Sequence, residues 1–473
     1  MCYKSFDHLS TGFQLEGLRT KKHLCSIALF LVLALLPGAL GTGFILHVYG
    51  NANMDGTIDQ ADITFIRSML EGKENETQLA DANFDGRVNE EDIAQVEMLI
   101  AGKERNITLM DGNGRPLTIK KPVERMVVEY LDNADMAQIL NKTDKVVGVD
   151  LAVANSEAEF PEISKRTNVG AMHKEPDYEK VLSLQPDLLL VFSNVTAEKE
   201  KNLPGIPVLF AGLYYPDLLN PETSGFTDAV RKLGYVLDAR EEAEDYIQWH
   251  IGSLNEIKAA TQRVPENERP SVLVAAYPDA DAMTIFTFAK IDTLTNMVEL
   301  AGGRTVAAEL PDFMKSTYRI EVDPEWVLQE DPDYIVLLVV ATTYSGLELE
   351  PPSGYDADDP AGMAEALEAF KSRPEYANLT AVRNDQVYIL SGNMRNDATK
   401  GLIGAAYLTE IFNPEQMELG PEELHRNYLE KFLGLNYDLD QHGVFIYPPL
   451  VKEDGRVEGV PDRYYQDGTV NAA

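Results

Sequence analysis

Residues 224–263 read SGFTDAVRKLGYVLDAREEAEDYIQWHIGSLNEIKAATQR. Apolar side chains recur at Phe226, Val230, Leu233, Leu237, Ala243, Ile247, Ile251, Leu254 and Ile257, close to the helical period. Gly234 and the Asp238-Ala239 pair mark a break near the first third. From Arg240 on, the helix runs unbroken for about 35 Å at 1.5 Å per residue. That length is enough to cross between two lobes.

Both flanks support the lobes that such a helix would join. On the N-terminal side ITLMDGNGRPLTIKKP (107–122) reads as a hairpin, with Asp111-Gly112 and Asn113-Gly114 as turn signals. The apolar runs RMVVEY (125–130), KVVGVD (145–150), DLLLVF (187–192) and VLFAGL (208–213) follow, separated by helical stretches. On the C-terminal side come PSVLVAAY (270–277), DYIVLLVV (333–340) and QVYILS (386–391), again with helices between, and then the helix GLIGAAYLTEIF. Short apolar strands alternating with helices predict parallel sheets with crossover helices. The acidic, Pro-rich LELEPPSGYDADDPAGM (347–363) reads as a surface loop.

Upstream the chain says nearly the same thing twice. GNANMDGTIDQADITFIRSMLEGK (50–73) and ADANFDGRVNEEDIAQVEMLIAGK (80–103) align without gaps. Counted from the first candidate ligand, Asn51, Asn53, Asp55, Thr57, Asp59 and Asp62 stand at positions 1, 3, 5, 7, 9 and 12. Asp81, Asn83, Asp85, Arg87, Asn89 and Asp92 match them in the second copy. A hard cation such as Ca²⁺ takes six to eight oxygens, which a tight loop supplies from alternate side chains, a main-chain carbonyl at position 7 and a carboxylate from the following helix. Glycine at position 6, Gly56 or Gly86, permits the sharp turn. Ile58 and Val88 at position 8 are expected to pair the loops through a short strand. Ile63, Ile66, Met69 and Leu70 are expected on one helix face, and Ile93, Val96, Leu99 and Ile100 on the other. Asn51 removes a negative charge from position 1, so the first site is expected to be the weaker.

The formal charge of the 473-residue chain is −36, which disfavours nucleic acid and anionic lipid as partners. Cys2 and Cys25 are the only cysteines, so nothing beyond residue 25 can form a disulfide or thiolate site. Arg19, Lys21 and Lys22 precede an uncharged run from Leu24 to Leu46, the layout of a secretion signal or an uncleaved anchor. Cys25 opens that run rather than closing it, which does not suit a lipoprotein cleavage site. The mature chain is therefore expected to be secreted or at the cell surface. N-x-T sequons stand at Asn75, Asn106, Asn141, Asn194 and Asn378.

The double loop–helix of residues 50–103, with Asp at position 12, resembles a dockerin domain. That resemblance implies two Ca²⁺ sites and a cohesin-like surface partner. The Ser-Thr type pair that helps select a cohesin is replaced here by Gln60-Ala61 and Glu90-Glu91. The blocks DGNGRPLTIKKPVERMVV, YEKVLSLQPDLLLVF, LGYVLDAREEAEDY, NMVELAGGRTVAAE, VDPEWVLQEDPDYIVLL and LTAVRNDQVYIL resemble, in order, the metal-chelate solute-binding proteins of ABC importers. This implies an α/β fold of two Rossmann-like lobes joined by one long helix, preceded by the small all-α dockerin-like domain. The expected boundaries are a leader at 1–46, the repeat at 47–103, lobes at 106–223 and 264–450 around the helix 224–263, and a tail at 451–473. The resemblance implies a monomer that delivers a ferric chelate, haem or a cobalamin-type ligand to a permease, which it docks through Glu179 and Glu325. Both glutamates also suit a helix start, where the dipole favours a carboxylate.

Ligands of open parallel sheets bind beyond the carboxyl ends of the strands. That rule selects Tyr130, His173, Asn194 and Tyr215 in the first lobe, and Tyr277, Tyr344 and Arg395 in the second. Aromatics with a few polar groups suit a metal complex, and Arg395 is the expected partner for an anionic chelate group. Haem receptors of this family often carry Tyr where this chain has Ala171, which argues against haem. No G-x-S-x-G, H-E-x-x-H or P-loop is present, so an enzyme is not expected. The alternative is a calcium-dependent scaffold or adhesion protein whose lobes no longer serve transport.

Overall fold

The computed structural model describes residues 44–473 apart from 172–174, 279–283, 317, 340–351, 397, 415, 418–419, 453–454, 467–468 and 471–473. Two of the expected site residues, His173 and Tyr344, lie outside the described residues, as does the leader up to residue 43; Leu46, expected to end the leader, is instead buried and its N–H donates to Asp55 O at 2.8 Å. Among the described residues, no helix is long and apolar enough to cross a membrane.

Each loop of the N-terminal repeat feeds a helix, Gln60–Leu70 and Glu90–Ala101. Asp59 and Asn89 cap these helices, and Asp62 and Asp92 at the third helical position return a bond to the cap's main chain. Such a reciprocal box satisfies amides that a helix start leaves unpaired. Ile63, Ile66 and Met69 are buried, as are Ile93, Val96 and Leu99, whereas Leu70 and Ile100 stand in solvent at 41% and 38% exposure. The apolar stripe is thus one residue narrower at the end of each helix than expected.

The module does not hang on a linker. Tyr49 N–H donates to Thr108 O and Met110 N–H to His47 O, each at 2.9 Å. Residues 47–49 thereby extend the hairpin of β1 (Asn106–Met110) and β2 (Pro116–Lys120). Arg240 Nη1 donates to Leu99 O at 3.0 Å, and Gln95 Nε2 to Asn106 O at 2.9 Å. A cation at a helix C-terminus is favoured by the helix dipole, and this one is the first residue of the long helix.

The first lobe is built on β3 (Met126–Val128), β4 (Val146–Val149), β5 (Thr167–Asn168), β6 (Leu188–Val191) and β7 (Val208–Phe210), all parallel in the order β5-β4-β3-β6-β7. Helices Gly225–Val236 and Arg240–Thr261 follow, separated at Asp238, whose φ is 52°. The expected break and the expected start of the long helix are both found there.

The second lobe departs from a purely parallel reading. Its strands are β8 (Ser271–Ala276), β9 (Ile285–Phe288), β10 (Arg304–Thr305), β11 (Arg319–Val322), β12 (Tyr334–Val339), β13 (Val387–Ser391) and β14 (Ile446–Tyr447). The main path runs β11-β9-β8-β12-β13-β14, with β10 beside β8. β8, β12 and β13 are parallel, while β9, β11 and β14 run antiparallel to their neighbours. The described part of the acidic 347–363 segment is also no surface loop. Tyr355 is 3% exposed, its hydroxyl is 2.7 Å from His425 Nε2, and its ring meets Tyr437 and Phe445 edge-on.

A repeat joins the lobes. Asp177 caps the helix Tyr178–Leu184 and Asp323 caps Pro324–Glu330; each accepts from the third helical amide. Both helices end on a left-handed residue, Gln185 or Asp331, and Pro-Asp then leads into β6 or β12.

Candidate functional site

In the first sheet the chain builds outward on one side of β3 and returns to its other side with β6. The crevice between their carboxyl ends is the switch point at which ligands bind in open α/β sheets. Tyr130 follows β3 and Phe192 follows β6, and their ring centroids are 4.2 Å apart. Tyr214, from the loop after β7, lies 5.1 Å from Phe192, and Tyr215 lies 4.1 Å from Tyr214. Tyr130 has φ 73° and Tyr215 φ 64°, a region bulky residues rarely adopt and one that clusters at functional sites. Burial raises the Tyr214 hydroxyl well above its ordinary range, and raises that of Tyr215 to about 12. These phenols are therefore neutral donors at any physiological pH.

The second lobe answers with Phe288 and Tyr318, ring centroids 6.0 Å apart. Arg395 lies between the two groups, its guanidinium carbon 4.9 Å from the Tyr318 centroid and 5.3 Å from that of Phe288. Its Nη1 donates to the Tyr214 hydroxyl at 2.7 Å. Arg395 nevertheless does not match its expected role. It is 2% exposed, its Nε donates to Asp292 Oδ1 at 3.1 Å, and its Nη2 also bonds the same carboxylate. A guanidinium matched in fork geometry to a buried carboxylate is a structural pair, not an open anion hook.

Tyr277 packs its ring on the second lobe's core, and its hydroxyl donates to Ala366 O at 3.1 Å. Asn194 is exposed at the rim, and its carbonyl accepts from Asn113 Nδ2 at 2.9 Å. Behind the aromatic cluster, within the first lobe, lies a cavity of about 10 Å³ lined by Asp132, Phe192 and Tyr214 among others. The Arg395–Tyr214 bond brings the two lobes into contact at this place.

The contact is also held by charge. Lys400, Asp135 and Glu159 have no exposed side-chain surface; Lys400 Nζ lies 2.7 Å from Asp135 Oδ2 and is also bonded to Glu159. Ala398 N–H donates to Asp132 Oδ1 and Thr399 Oγ1 to Asp135 Oδ2, each at 2.6 Å. Residues 398–400 of the second lobe thus reach into the first. These contacts join residues more than 260 positions apart, and sequence periodicity carries no signal for them. A far larger cavity, about 820 Å³, lies on the second lobe among Glu410, Glu422, Arg426, Lys452 and Glu458. Size alone does not make it the site. Lys452 already bonds Glu410 at 2.7 Å and Arg426 bonds Glu422 at 2.8 Å, and none of the lining residues follows a strand of the two lobe sheets.

Glu179 and Glu325 occupy equivalent places, each the second residue of its short helix, and both are exposed. In the repeat, the loops hold their own polar groups inward. Asp62 and Asp92 are fully buried and accept from Asn53 and Asn83 N–H at 3.1 Å. Burial, with the Asp55 and Asp59 carboxylates nearby, raises Asp62 to about 6. Position 4 takes the left-handed turn in both copies, at Met54 and Phe84, whereas at position 6 only Gly86 has positive φ. Ile58 and Val88 lie in no strand. Among the described residues no three His, Cys, Asp or Glu side chains are arranged for a metal; a loop site would draw partly on Asn amides and main-chain carbonyls. Three carboxylates stand in each loop: Asp55, Asp59 and Asp62, and Asp81, Asp85 and Asp92. Asp59 offsets Asn51, so charge no longer makes the first site the weaker.

Comparison with known proteins agrees with this layout. The family described as periplasmic binding protein matches residues 126–393, and the dockerin type I domain matches 49–101. The chain is 24% identical over 312 residues to an uncharacterized ABC transporter substrate-binding lipoprotein, YvrC, of Bacillus subtilis (strain 168), covering 64% of this chain and 84% of that protein. The fold is similar to the TroA-like periplasmic binding protein FepB of Veillonella parvula, with 20% identity, a TM-score of 0.56 and 72% and 98% of the two chains covered. It is also similar to molybdate-bound MolA of Haemophilus influenzae, with 17% identity, a TM-score of 0.54 and 70% and 99% covered. The relatives are binding proteins, not enzymes. With two sheets, one spine helix and an aromatic crevice between them, the chain belongs to the periplasmic binding protein family: it is an extracytoplasmic substrate-binding protein of the ABC-transporter type that carries a type I dockerin module.

Proposed function

We propose that this protein captures a ferric chelate or similar metal complex between its lobes and delivers it to an ABC permease. The observation that carries this reading is the aromatic crevice at the switch point, to which both lobes contribute rings. Flat aromatic walls with few polar groups suit the organic shell of a chelate. Tyr130 and Tyr215 would supply such walls, and Asn194 stands in the loop after β6 at the same strand ends. Glu179 and Glu325, repeated on the two lobes, would set orientation on the permease, since charge pairs at a rim give register and rate more than affinity.

In the dockerin module Asn51, Asn53, Asp55, the Thr57 carbonyl, Asp59 and Asp62 would hold one Ca²⁺, and Asp81, Asn83, Asp85, the Arg87 carbonyl, Asn89 and Asp92 a second. The cation supplies the charge that the buried Asp62 and Asp92 call for. The exposed Gln60-Ala61 and Glu90-Glu91 leave a cohesin-like surface protein as partner, with specificity unlike the usual Ser-Thr pairing. The dockerin match also favours the second reading, a calcium-dependent surface scaffold.

The test pairs ligand with permease. Thermal shifts in millimolar calcium against ferric siderophores, ferric citrate, haem and cobalamins are expected to single out one ligand class by several degrees. Glu179→Arg with Glu325→Arg is expected to abolish stimulation of permease ATPase while leaving that shift intact. Cooperative melting with no shift from any chelate moves the weight to the scaffold.

A further inference from the structure

Five buried or half-buried cations near the lobes are already claimed. Lys121 bonds Glu104, Lys199 bonds Glu129, Lys232 bonds Asp228, Lys400 bonds Asp135 and Arg395 bonds Asp292. Arg319, the first residue of β11, differs. No hydrogen bond or ion pair joins its guanidinium to any described residue, and its Nε is buried without an acceptor. It lies on the rings instead, 4.7 Å from the Tyr318 centroid and 5.7 Å from that of Phe288.

Those are the same two rings that Arg395 meets. Ile320 and Val322 turn into the second lobe's core, so strand alternation sends Arg319 to the opposite face. The side chain is half-buried, not splayed into solvent. In a chain of formal charge −36, a cation held on aromatic faces and left without a carboxylate is placed for something brought from outside. A stacked guanidinium keeps its planar fork available for paired oxygens.

We infer that Arg319, stacked on Tyr318 and Phe288, is the specificity-determining cation of the crevice, and that the captured complex is an anionic chelate presenting carboxylate or catecholate oxygens to it. This rests on the import reading and narrows its ligand. A neutral hydroxamate complex offers no charge to match the guanidinium. A bare oxyanion offers the charge but too little apolar surface to cover the tyrosine walls.

The experiment uses the exported chain in calcium and three probes: the iron(III) tris(catecholate) anion, a neutral iron(III) trihydroxamate and molybdate, with affinities from calorimetry. The wild type is expected to bind the tris(catecholate) at least tenfold more tightly than either other probe. Arg319→Gln is expected to lose about tenfold or more on the anion, the scale of a charge-assisted hydrogen bond, and less than twofold on the neutral complex. Arg319→Lys, which keeps charge and loses the fork, is expected to lose less. Both variants are checked for an unchanged melting temperature, and the lysine variant carries the test if the glutamine variant does not fold. A wild type that prefers the neutral complex, or variants that hold the anion as the wild type does, overturns the inference while leaving import standing. A wild type that binds no metal complex overturns the import reading and this inference together.

Discussion

Asp150 shows how one residue carries a pH dependence. It is 1% exposed, its Oδ1 caps a helix start by accepting from Val153 N–H at 3.2 Å, and its Oδ2 has no partner. Burial dominates and raises it to about 7, helped by Glu129 and opposed by main-chain N–H groups and Lys199. The folded state therefore keeps a proton that the unfolded chain releases near pH 4, and stability from this group falls as pH rises from about 4 to 7. Asn at the same place keeps the cap and carries no charge. Asp150→Asn is expected to gain roughly 2–4 kcal/mol over the wild type at pH 8 and almost nothing at pH 4. Urea unfolding across that range checks it; parallel curves would sink the argument.

At the scale of elements, the dockerin module is continuous with the first lobe. Residues 47–49 pair with β1, and Arg240 bonds the end of the second dockerin helix. At a hundredfold excess of Ca²⁺ over its dissociation constant, each site adds about 2.7 kcal/mol by linkage. Chelator is expected to remove that stability, and also to speed amide exchange in β1, β2 and the helix Gly225–Val236. Exchange confined to residues 50–103 would show instead that the module unfolds alone. Much of this level was readable beforehand. The helix from Arg240, the hairpin and the central strands followed from periodicity and turn residues, because each is a local pattern. β9 and β11 were missed: they are four-residue antiparallel strands, too short for alternation to register. The Asp-cap, helix, Pro-Asp, strand repeat at 177 and 323 was present in the letters at an offset no single window spans.

Across the whole molecule, Lys400 is the tie between lobes. Removing it leaves Asp135 and Glu159 buried against each other without a counter-charge, which costs about 3–5 kcal/mol. Lys400→Met is expected to lose that much, and to open the lobes measurably in small-angle scattering. Adding Asp135→Asn and Glu159→Gln is expected to recover most of the stability, because paired removal spares the desolvation cost. A single variant within 1 kcal/mol of the wild type, and equally compact, would show that this ion pair does not hold the lobes.

Local patterns were enough for the lobe–helix–lobe plan and for the doubled loop–helix of residues 50–103. Each rests on stretches of a few dozen residues. Which cation is paired and which is open follows from the folded lobes instead. Arg395 was the natural choice for an anion until Asp292, 103 positions away, turned out to hold it, and Arg319 drew no notice until its rings came with it. The reason is electrostatic: a charge is defined by what lies within a few ångströms once water is excluded, and those neighbours come from strands and loops that meet only when both sheets have folded.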